Sequence, residues 1–266
     1  MTRKTSILLA LALVGCSTDE PVATVASCPQ ADIDRCGIDQ MACDMTTGTA
    51  TCFACPSGEH ATKAGLCTAI PGTVYSHDFP EQTIAAGSES VGLCRSWTLN
   101  NETELWVNAV ELEQDELSHH SNWLFVPDSE FDGPDGIWEC ASRNYSQLAA
   151  ALAGGVLYAQ STQAVKEVQK FPDGVVVRLP PNVRIISDIH LLNTTDAPAT
   201  GHAKLSVYTL APEEVTVKLA PFHVTYDGLA LPPLSKSRFS GECELASIFD
   251  PQTGSGLEME VYYLLP

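Results

Sequence analysis

Residues 104–127 read ELWVNAVELEQDELSHHSNWLFVP and contain the pattern that indicates the fold class. Leu105, Val107 and Ala109 alternate with their neighbours at the period of a β-strand, and a second apolar run at 123–126 follows a polar turn. Further extended segments lie at 175–179, 185–192, 204–210, 215–219 and 222–226. These short segments, separated by Gly, Pro, Asn and Asp, predict an all-β fold. We expect an antiparallel β-sandwich with Greek-key or jelly-roll-like connections and one helix at 145–154.

The overall charge excludes one class of partner. The chain has 266 residues, with 14 Lys and Arg against 33 Asp and Glu, and its formal net charge is -19. Because phosphate contacts need basic patches, no nucleic acid is expected as a partner. An acidic surface is typical of a solvated, soluble domain, although it could also attract cationic ligands or metal ions.

The N-terminus has the features of an export signal. Arg3 and Lys4 precede a short apolar stretch, and residues 13–16 read LVGC. This resembles the lipobox of bacterial lipoproteins, which predicts a signal peptide at 1–15, lipidation of Cys16 and a polar tether at 16–27. Ser17 after the cysteine favours the outer membrane, so we expect a lipid-anchored protein of the bacterial cell envelope. The alternative is an ordinary secretory signal followed by a chance cysteine.

A cysteine-rich module follows the tether. Between residues 28 and 70 the chain is rich in small and polar residues and has too little apolar mass for a core of its own. The cysteines of this segment are Cys28, Cys36, Cys43, Cys52, Cys55 and Cys67. In an exported protein they predict a disulfide scaffold, although the C-x-x-C at 52–55 could instead serve zinc or redox chemistry, and the pairing stays open among fifteen possibilities. The spacing is loosely EGF-like, which favours a spacer or interaction module.

Three histidines predict a metal site. His119 and His120 are adjacent at the start of an apolar run, and His190 lies inside another. Adjacent side chains on a strand point to opposite faces, so the pair can share one ion only if the backbone turns or bulges there. Imidazole ligands suit copper or zinc and do not favour magnesium or calcium. Surface histidine pairs without a function are also common, and the other four histidines have no motif.

Polar residues beside the predicted ligands are candidates for orienting their rings. Ser118, Asn122 and Asp188 flank the three histidines in the sequence. Such partners usually hold a ligating imidazole by its second nitrogen. The alternative is that these are simply polar positions next to the site.

Residues 91–266 resemble the copper type II, ascorbate-dependent monooxygenases, the family of peptidylglycine α-hydroxylating monooxygenase and dopamine β-monooxygenase. The matching stretches, in chain order, are CRSW (94–97), HH (119–120), WLFV (123–126), WEC (138–140), FPDGV (171–175), IH (189–190), LSVY (205–208) and LPP (231–233). No single stretch is diagnostic. The resemblance is carried by their order, and it leaves out the cysteine-rich module.

The resemblance implies a copper-binding role. In the family, two jelly-roll domains each hold one copper, and the first copper takes a His-His pair and a later histidine, which correspond here to His119, His120 and His190. Ascorbate, or another one-electron reductant, reduces both coppers, and an organic substrate is hydroxylated with O2 at the second. By this comparison residues 71–210 form the N-terminal copper domain, which stores and passes an electron. The substrate cannot be read from these residues.

The same resemblance concerns the end of the chain and its cysteines. Residues 211–266 match the start of a second domain, and the chain ends where the family continues into the His-x-His of the second copper site. We therefore expect no hydroxylation from these residues alone. The resemblance implies a disulfide between Cys94 and Cys140, which would pin the strand of the histidine pair, and leaves Cys243 without its family partner. The alternatives are a non-enzymatic copper-binding surface lipoprotein and a structural interaction module.

Overall fold

The computed structural model describes residues 27–160, 164–221, 228, 230–242, 244–254 and 260–261. Over these ranges the chain is mostly β-structure, with antiparallel sheets packed as a sandwich, so the predicted fold class is confirmed. None of the helices within them is long and apolar enough to cross a membrane. The predicted signal peptide, Cys16, the strand at 222–226 and Cys243 lie outside the described residues.

The N-terminal module consists of one helix and two small hairpins. Its elements are α1 (Gln30–Ile38), β1 (Ala42–Asp44), β2 (Thr51–Phe53), β3 (Glu59–Ala61) and β4 (Cys67–Ala69). Disulfides join Cys28 to Cys43, Cys36 to Cys52 and Cys55 to Cys67. The predicted disulfide scaffold is therefore confirmed. Both cysteines of the C-x-x-C are joined to other cysteines of the module, so neither is a free thiol.

One sheet of the sandwich has six strands, five in a continuous order and a sixth, short strand off that order. In spatial order the strands are β15 (Val217–Leu219), β12 (Val175–Leu179), β7 (Leu105–Gln114), β14 (Ala199–Leu210) and β5 (Thr73–Ile84), with β11 (Lys166–Lys170) also pairing with β7. Neighbours are antiparallel except β12 and β15, which are parallel. Residues up to Leu219 therefore belong to this sheet, nine positions beyond the domain boundary predicted at 210. The division into two copper domains stays a prediction.

The second sheet positions the histidines. Its five strands, in spatial order, are β10 (Gly155–Gln160), β8 (Ser118–Pro127), β13 (Val183–Asn193), β6 (Ser88–Thr98) and β9 (Gly136–Glu139). Every pairing in it is antiparallel. The predicted helix is present as α2 (Gln147–Ala153), and the hydroxyl of Ser146 caps it by accepting a hydrogen bond from the Ala149 amide. A further helix, α3 (Ala246–Thr253), was not expected from the sequence.

The main core lies between the two sheets. It is built from alternate residues of the central strands, such as Val110 and Leu112 from β7, and Trp123 and Ile185 from the opposite sheet. Trp123 is 1% exposed, and its indole N–H donates to the Ser121 hydroxyl at 3.0 Å. This packing holds β8 and β13 as neighbours in the middle of their sheet, and those two strands carry the predicted metal ligands.

The outer face of the six-stranded sheet receives the N-terminal module. Ile70 packs there against Ala109 and Tyr208. Beside them, the fully buried carboxylate of Glu111 accepts the Gly58 amide of the module at 3.0 and 3.1 Å. The module is thus docked on the sandwich by an apolar contact and by hydrogen bonds to a buried charge.

Candidate metal centre

A β-bulge brings the adjacent histidines to one side of the sheet. His120 is paired with His190 across β8 and β13, and the next pair joins Ser118 to Leu191. His119 is therefore an extra residue on β8, opposite no residue of β13, which is the definition of a bulge. A bulge breaks the alternation of side chains between faces, so both rings of the pair can approach His190. The backbone irregularity that the sequence required is present.

The strand of His190 is irregular on its other side as well. Between β13 and β6 the register passes from Ile189 paired with Leu93 to Leu191 paired with Ser90. Gly92 lies in this interruption with a φ of +83°, a left-handed conformation that residues with a Cβ rarely adopt. His190 thus lies between two bulged strands, which leaves its ring accessible at the sheet surface.

The three rings converge on one point. His190 Nδ1 lies 2.7 Å from His120 Nε2 and 3.5 Å from His119 Nδ1. One nitrogen from each ring lies within 4.8 Å of the others, and each side chain is half-buried. Nitrogen ligands at about 2.0–2.1 Å from a tetrahedral metal ion lie roughly 3.3 Å from one another. The two separations at His190 bracket that value, so the three side chains can hold a single ion after ring movements.

A carboxylate that the sequence analysis did not identify orients His190. Glu89 Oε1 forms a hydrogen bond with His190 Nε2, and the Glu89 side chain is about half exposed. A proton on Nε2 leaves the lone pair of Nδ1 free, and Nδ1 is the atom that faces the other two rings. No sequence pattern indicates this contact, because Glu89 is 101 residues from His190 and meets it only through the pairing of β6 with β13.

The three residues proposed from the sequence to orient the rings do not do so. Gln147 accepts a hydrogen bond from the Asn122 amide at 3.1 Å and donates one to Asp188 Oδ2 at 2.5 Å, so these three side chains form a chain beside the site. Ser118 is buried and forms no hydrogen bond with a ligand ring in the described part of the chain. Of the two interpretations of these positions, the hydrogen bonds of the described residues favour the second, in which they are polar positions next to the site.

Burial and the neighbouring rings lower the pKa of His120 below its ordinary value. Desolvation is the largest cause, and His190 and His119 act in the same direction, while the carboxylates of Asp188 and Glu89 oppose them. The lowered pKa favours the neutral imidazole, which is the form that binds metal ions.

Cys94 and Cys140 form the disulfide that the family resemblance implies. Cys94 is fully buried on β6 and is paired with Asp188 on β13, two residues from His190. The bridge therefore fixes β6, the neighbour of the His190 strand. β13 separates β6 from the strand of the histidine pair, β8, but the two cysteines lie in one apolar cluster with Leu124 and Val126 of β8.

The remaining histidines of the described ranges are engaged elsewhere. His77 stacks on Trp97, His202 pairs with Asp78 at 3.3 Å, and His60 contacts its neighbouring carbonyl. His223 lies outside the described residues. No further group of ligating side chains was found in the part of the chain that the structure describes.

No protein-family model matches the chain, and no curated protein matches it.

Proposed function

We propose that His119, His120 and His190 bind one copper ion and that the chain is a member of the copper type II, ascorbate-dependent monooxygenase family. The observation that carries the proposal is the convergence of three imidazole nitrogens across a bulge. A bulge that places adjacent histidines on one side has no evident packing purpose. In this proposal the domain stores and passes an electron that serves C–H hydroxylation of an unidentified organic substrate with O2.

The donor set is compatible with copper in both of its common oxidation states. Imidazole nitrogen binds Cu(I) and Cu(II), and three such ligands leave coordination positions for solvent. A bound copper ion would supply one-electron chemistry, with ascorbate or another small reductant as the electron donor. The protein's part is to hold the three rings, to fix the tautomer of His190 through Glu89, and to keep β6 in place through the Cys94–Cys140 bridge. Zinc also accepts three histidines, so the metal must be measured.

The order of the matching stretches supports the family assignment over a bare metal site. The WLFV stretch at 123–126 lies in the core next to the histidine pair, and the two cysteines of the CRSW and WEC stretches are joined. We also propose, from the lipobox-like 13–16 and from Ser17, that Cys16 carries lipid and anchors the protein in the bacterial envelope. The disulfides suit such an oxidising compartment.

The test is metal analysis of the purified, tag-free chain. After loading with Cu(II) and removal of excess ion, we expect one copper per chain by mass spectrometry and a Cu(II) signal by electron paramagnetic resonance. His190→Ala, which removes the central ligand, should lose the copper. His202→Ala, which removes a histidine paired with Asp78 away from the site, should keep it. Ascorbate should abolish the signal of the wild-type protein.

The other outcomes decide between the alternatives. Copper that binds but is not reduced by ascorbate would favour a non-enzymatic copper-binding surface lipoprotein. A site that retains zinc in preference to copper would contradict the redox role. Absence of any bound metal, with His190→Ala indistinguishable from the wild type, would leave a structural interaction module.

A further inference from the structure

A small cavity joins the proposed metal ligands to the interior of the sandwich. The core residues Trp123 and Ile189 line it together with His120 and His190. Its volume is about 10 Å³, close to the roughly 10–15 Å³ that one water molecule requires. A single particle of that size, either a water molecule or a monatomic ion, therefore fits in it.

Arg95, on β6, lines the same cavity and is a buried cation without a counter-charge. It is 6% exposed, and burial is the one cause that lowers the pKa of its guanidinium, to about 10, so the group remains protonated at neutral pH. No hydrogen bond or ion pair joins its side chain to a residue that the structure describes, and its Nε is enclosed without a partner. Because buried charges in proteins are ordinarily paired or hydrogen-bonded, this guanidinium calls for an anion.

Two aromatic rings hold the guanidinium in place without neutralising it. Its central carbon lies 5.4 Å from the centroid of the Phe79 ring and 5.9 Å from that of Trp123. Such contacts attract a cation to the face of the ring but leave the five N–H donors of an arginine unused. The terminal nitrogens, which unlike Nε are not fully enclosed, are the atoms of Arg95 that can reach an anion in the cavity.

Ser118 provides a second donor in the cavity lining. It is 7% exposed, and its hydroxyl forms no hydrogen bond with a residue of the described ranges. It lies on β8 directly before the histidine pair and is paired with Leu191, whose side chain is buried. No Asp or Glu of the described ranges lines the cavity. An anion at this place therefore meets one cation and one free hydroxyl, and no carboxylate that repels it at contact.

We propose that this cavity binds chloride, held by the Arg95 guanidinium and the Ser118 hydroxyl. A monatomic ion is favoured over a carboxylate or an oxyanion, because the space admits one particle little larger than water. The net charge of the chain, -19, opposes anions in general, so binding depends on this one interior cation. A metal ion on His120 and His190 adds a second positive charge beside the cavity and strengthens the attraction. Arg95 suffices without it, so the proposal does not depend on the metal.

Titration of the halide-free protein with chloride tests the proposal. The ¹⁵N-labelled chain is prepared with EDTA in sodium gluconate at about pH 8, where imidazoles are neutral, and chloride then replaces gluconate at constant sodium concentration. Gluconate is a large organic anion that does not fit the cavity. We expect saturable shifts of the amides near Arg95 and Ser118. The free energy of unfolding by urea should rise with chloride, because the ion binds the folded state. Sulfate should give no saturable shift.

Two variants and a matched control locate the ion. Arg95→Met keeps an apolar side chain of similar length and should weaken chloride binding at least about tenfold, because it removes the charged donor. Ser118→Ala should weaken it about two- to tenfold. Arg178→Met removes an arginine that is 49% exposed and paired with Glu104 outside the cavity, and it should bind chloride as the wild type does.

A second series with Zn²⁺, a diamagnetic ion that histidines bind, separates this site from the metal centre. Binding in EDTA that is lost in Arg95→Met supports the proposal even if the histidines bind no metal. Absence of saturable shifts in EDTA would leave water as the only occupant and overturn it, as would unaltered affinity in Arg95→Met. Chloride that binds only with Zn²⁺ and persists in Arg95→Met would also overturn it, since the ion is then a ligand of the metal.

Discussion

At the scale of single residues, the proposed ligand set depends on which nitrogen of His190 is free. Glu89 holds Nε2, and Nδ1 then faces His120 Nε2 at 2.7 Å. Without the carboxylate, the ring could rotate or exchange its proton between the two nitrogens. The geometry of the three histidines is therefore partly determined by a residue on a neighbouring strand.

We expect Glu89→Gln to weaken copper affinity about 10–100-fold, the usual effect of losing a ligand's hydrogen-bonded carboxylate. The unfolding free energy should change little, because the Glu89 side chain is 50% exposed. Affinity is measured by competition with a chelator of known strength. Glu81→Gln, an exposed glutamate on the preceding strand, is the control and should bind as the wild type does. Equal affinities in the two variants would show that Glu89 does not orient His190.

A second histidine makes a prediction about pH. His77 stacks on Trp97 with the ring centroids 5.3 Å apart and meets Phe79 edge-on. Burial lowers the pKa of His77 below its ordinary value of 6.5, and the carboxylates of Asp135 and Asp78 offset part of this effect. The unfolded state therefore binds a proton more readily than the folded state. This histidine contributes its full stability above pH 6.5 and loses it as the pH falls from there through the folded pKa.

We expect His77→Phe to remove this part of the pH dependence. The measurement is the free energy of unfolding by urea between about pH 5 and about pH 8, with EDTA present so that metal binding does not contribute. As the pH falls below 6.5, the unfolding free energy of the wild type should decrease relative to that of the variant. Thr83→Val, at an exposed and non-titratable position of the same strand, is the control and should keep the wild-type slope. If the unfolding free energy of His77→Phe depends on pH as that of the wild type does, other groups cause the pH dependence.

At the scale of strands and helices, the bulges determine how the site is built. Two neighbours of β13 depart from regular pairing beside His190, one at His119 on β8 and one near Gly92 on β6. Gly92 has no heavy atom within 4 Å of an added Cβ, so its requirement for glycine comes from the positive φ alone. A substitution there changes the backbone without creating a clash.

Gly92→Ala should lower the unfolding free energy by about 1–2 kcal/mol, the cost of a Cβ in a left-handed conformation. If the backbone relaxes to avoid this strain, β6 shifts beside His190 and copper affinity falls as well. Gly37→Ala is the control. It lies in α1 with open space around it, and it should raise stability by roughly 0.5–1 kcal/mol because alanine favours helix. Chemical denaturation measures the change in unfolding free energy of both variants, and the two changes should have opposite signs. No change in Gly92→Ala would mean that the bulge tolerates a side chain.

The sequence predicted the strands well where alternation was strong and failed where other forces determine structure. The prediction at 175–179 coincides with β12, and the two adjacent histidines required the bulge that is present. The helix α1 was missed, because its residues QADIDRCGI have no apolar stripe and the disulfide of Cys36 replaces core packing. The strand β15 pairs in parallel with β12, a long-range contact that no local pattern specifies. Glu89 was missed for the same reason.

At the scale of the whole molecule, a buried ion pair joins the module to the sandwich. Glu111 has no exposed surface, and its carboxylate accepts Lys166 Nζ at 2.9 Å, the Tyr208 hydroxyl at 2.5 Å and the Gly58 amide. Lys166 Nζ also donates to the Cys55 and Glu59 carbonyls of the module at 2.7 and 3.1 Å. The orientation of the module on the outer face of the sheet thus depends on two charges that solvent scarcely reaches.

Glu111→Gln should therefore destabilise the protein far more than a surface change. It leaves the Lys166 ammonium, 11% exposed, without a counter-charge, and breaking a buried pair in this way costs about 3–5 kcal/mol. Adding Lys166→Met should recover part of the loss, because the unpaired charge is then removed as well. Glu104→Gln is the control. Its pair with Arg178 is 37–49% exposed, lies away from the module, and is worth at most about 1 kcal/mol.

Urea denaturation measures the global effect of these changes, and hydrogen exchange at the Gly58 amide, whose acceptor is Glu111, reports on docking itself. We expect faster exchange at Gly58 in Glu111→Gln and unchanged exchange in Glu104→Gln. If Glu111→Gln is destabilised while the Gly58 amide remains protected from exchange, the ion pair stabilises only the sandwich. Other contacts then hold the module, and the packing of Ile70 against Ala109 and Tyr208 is the first to test. If the two effects occur together, the buried pair couples the module to the same sandwich whose other sheet carries the histidines.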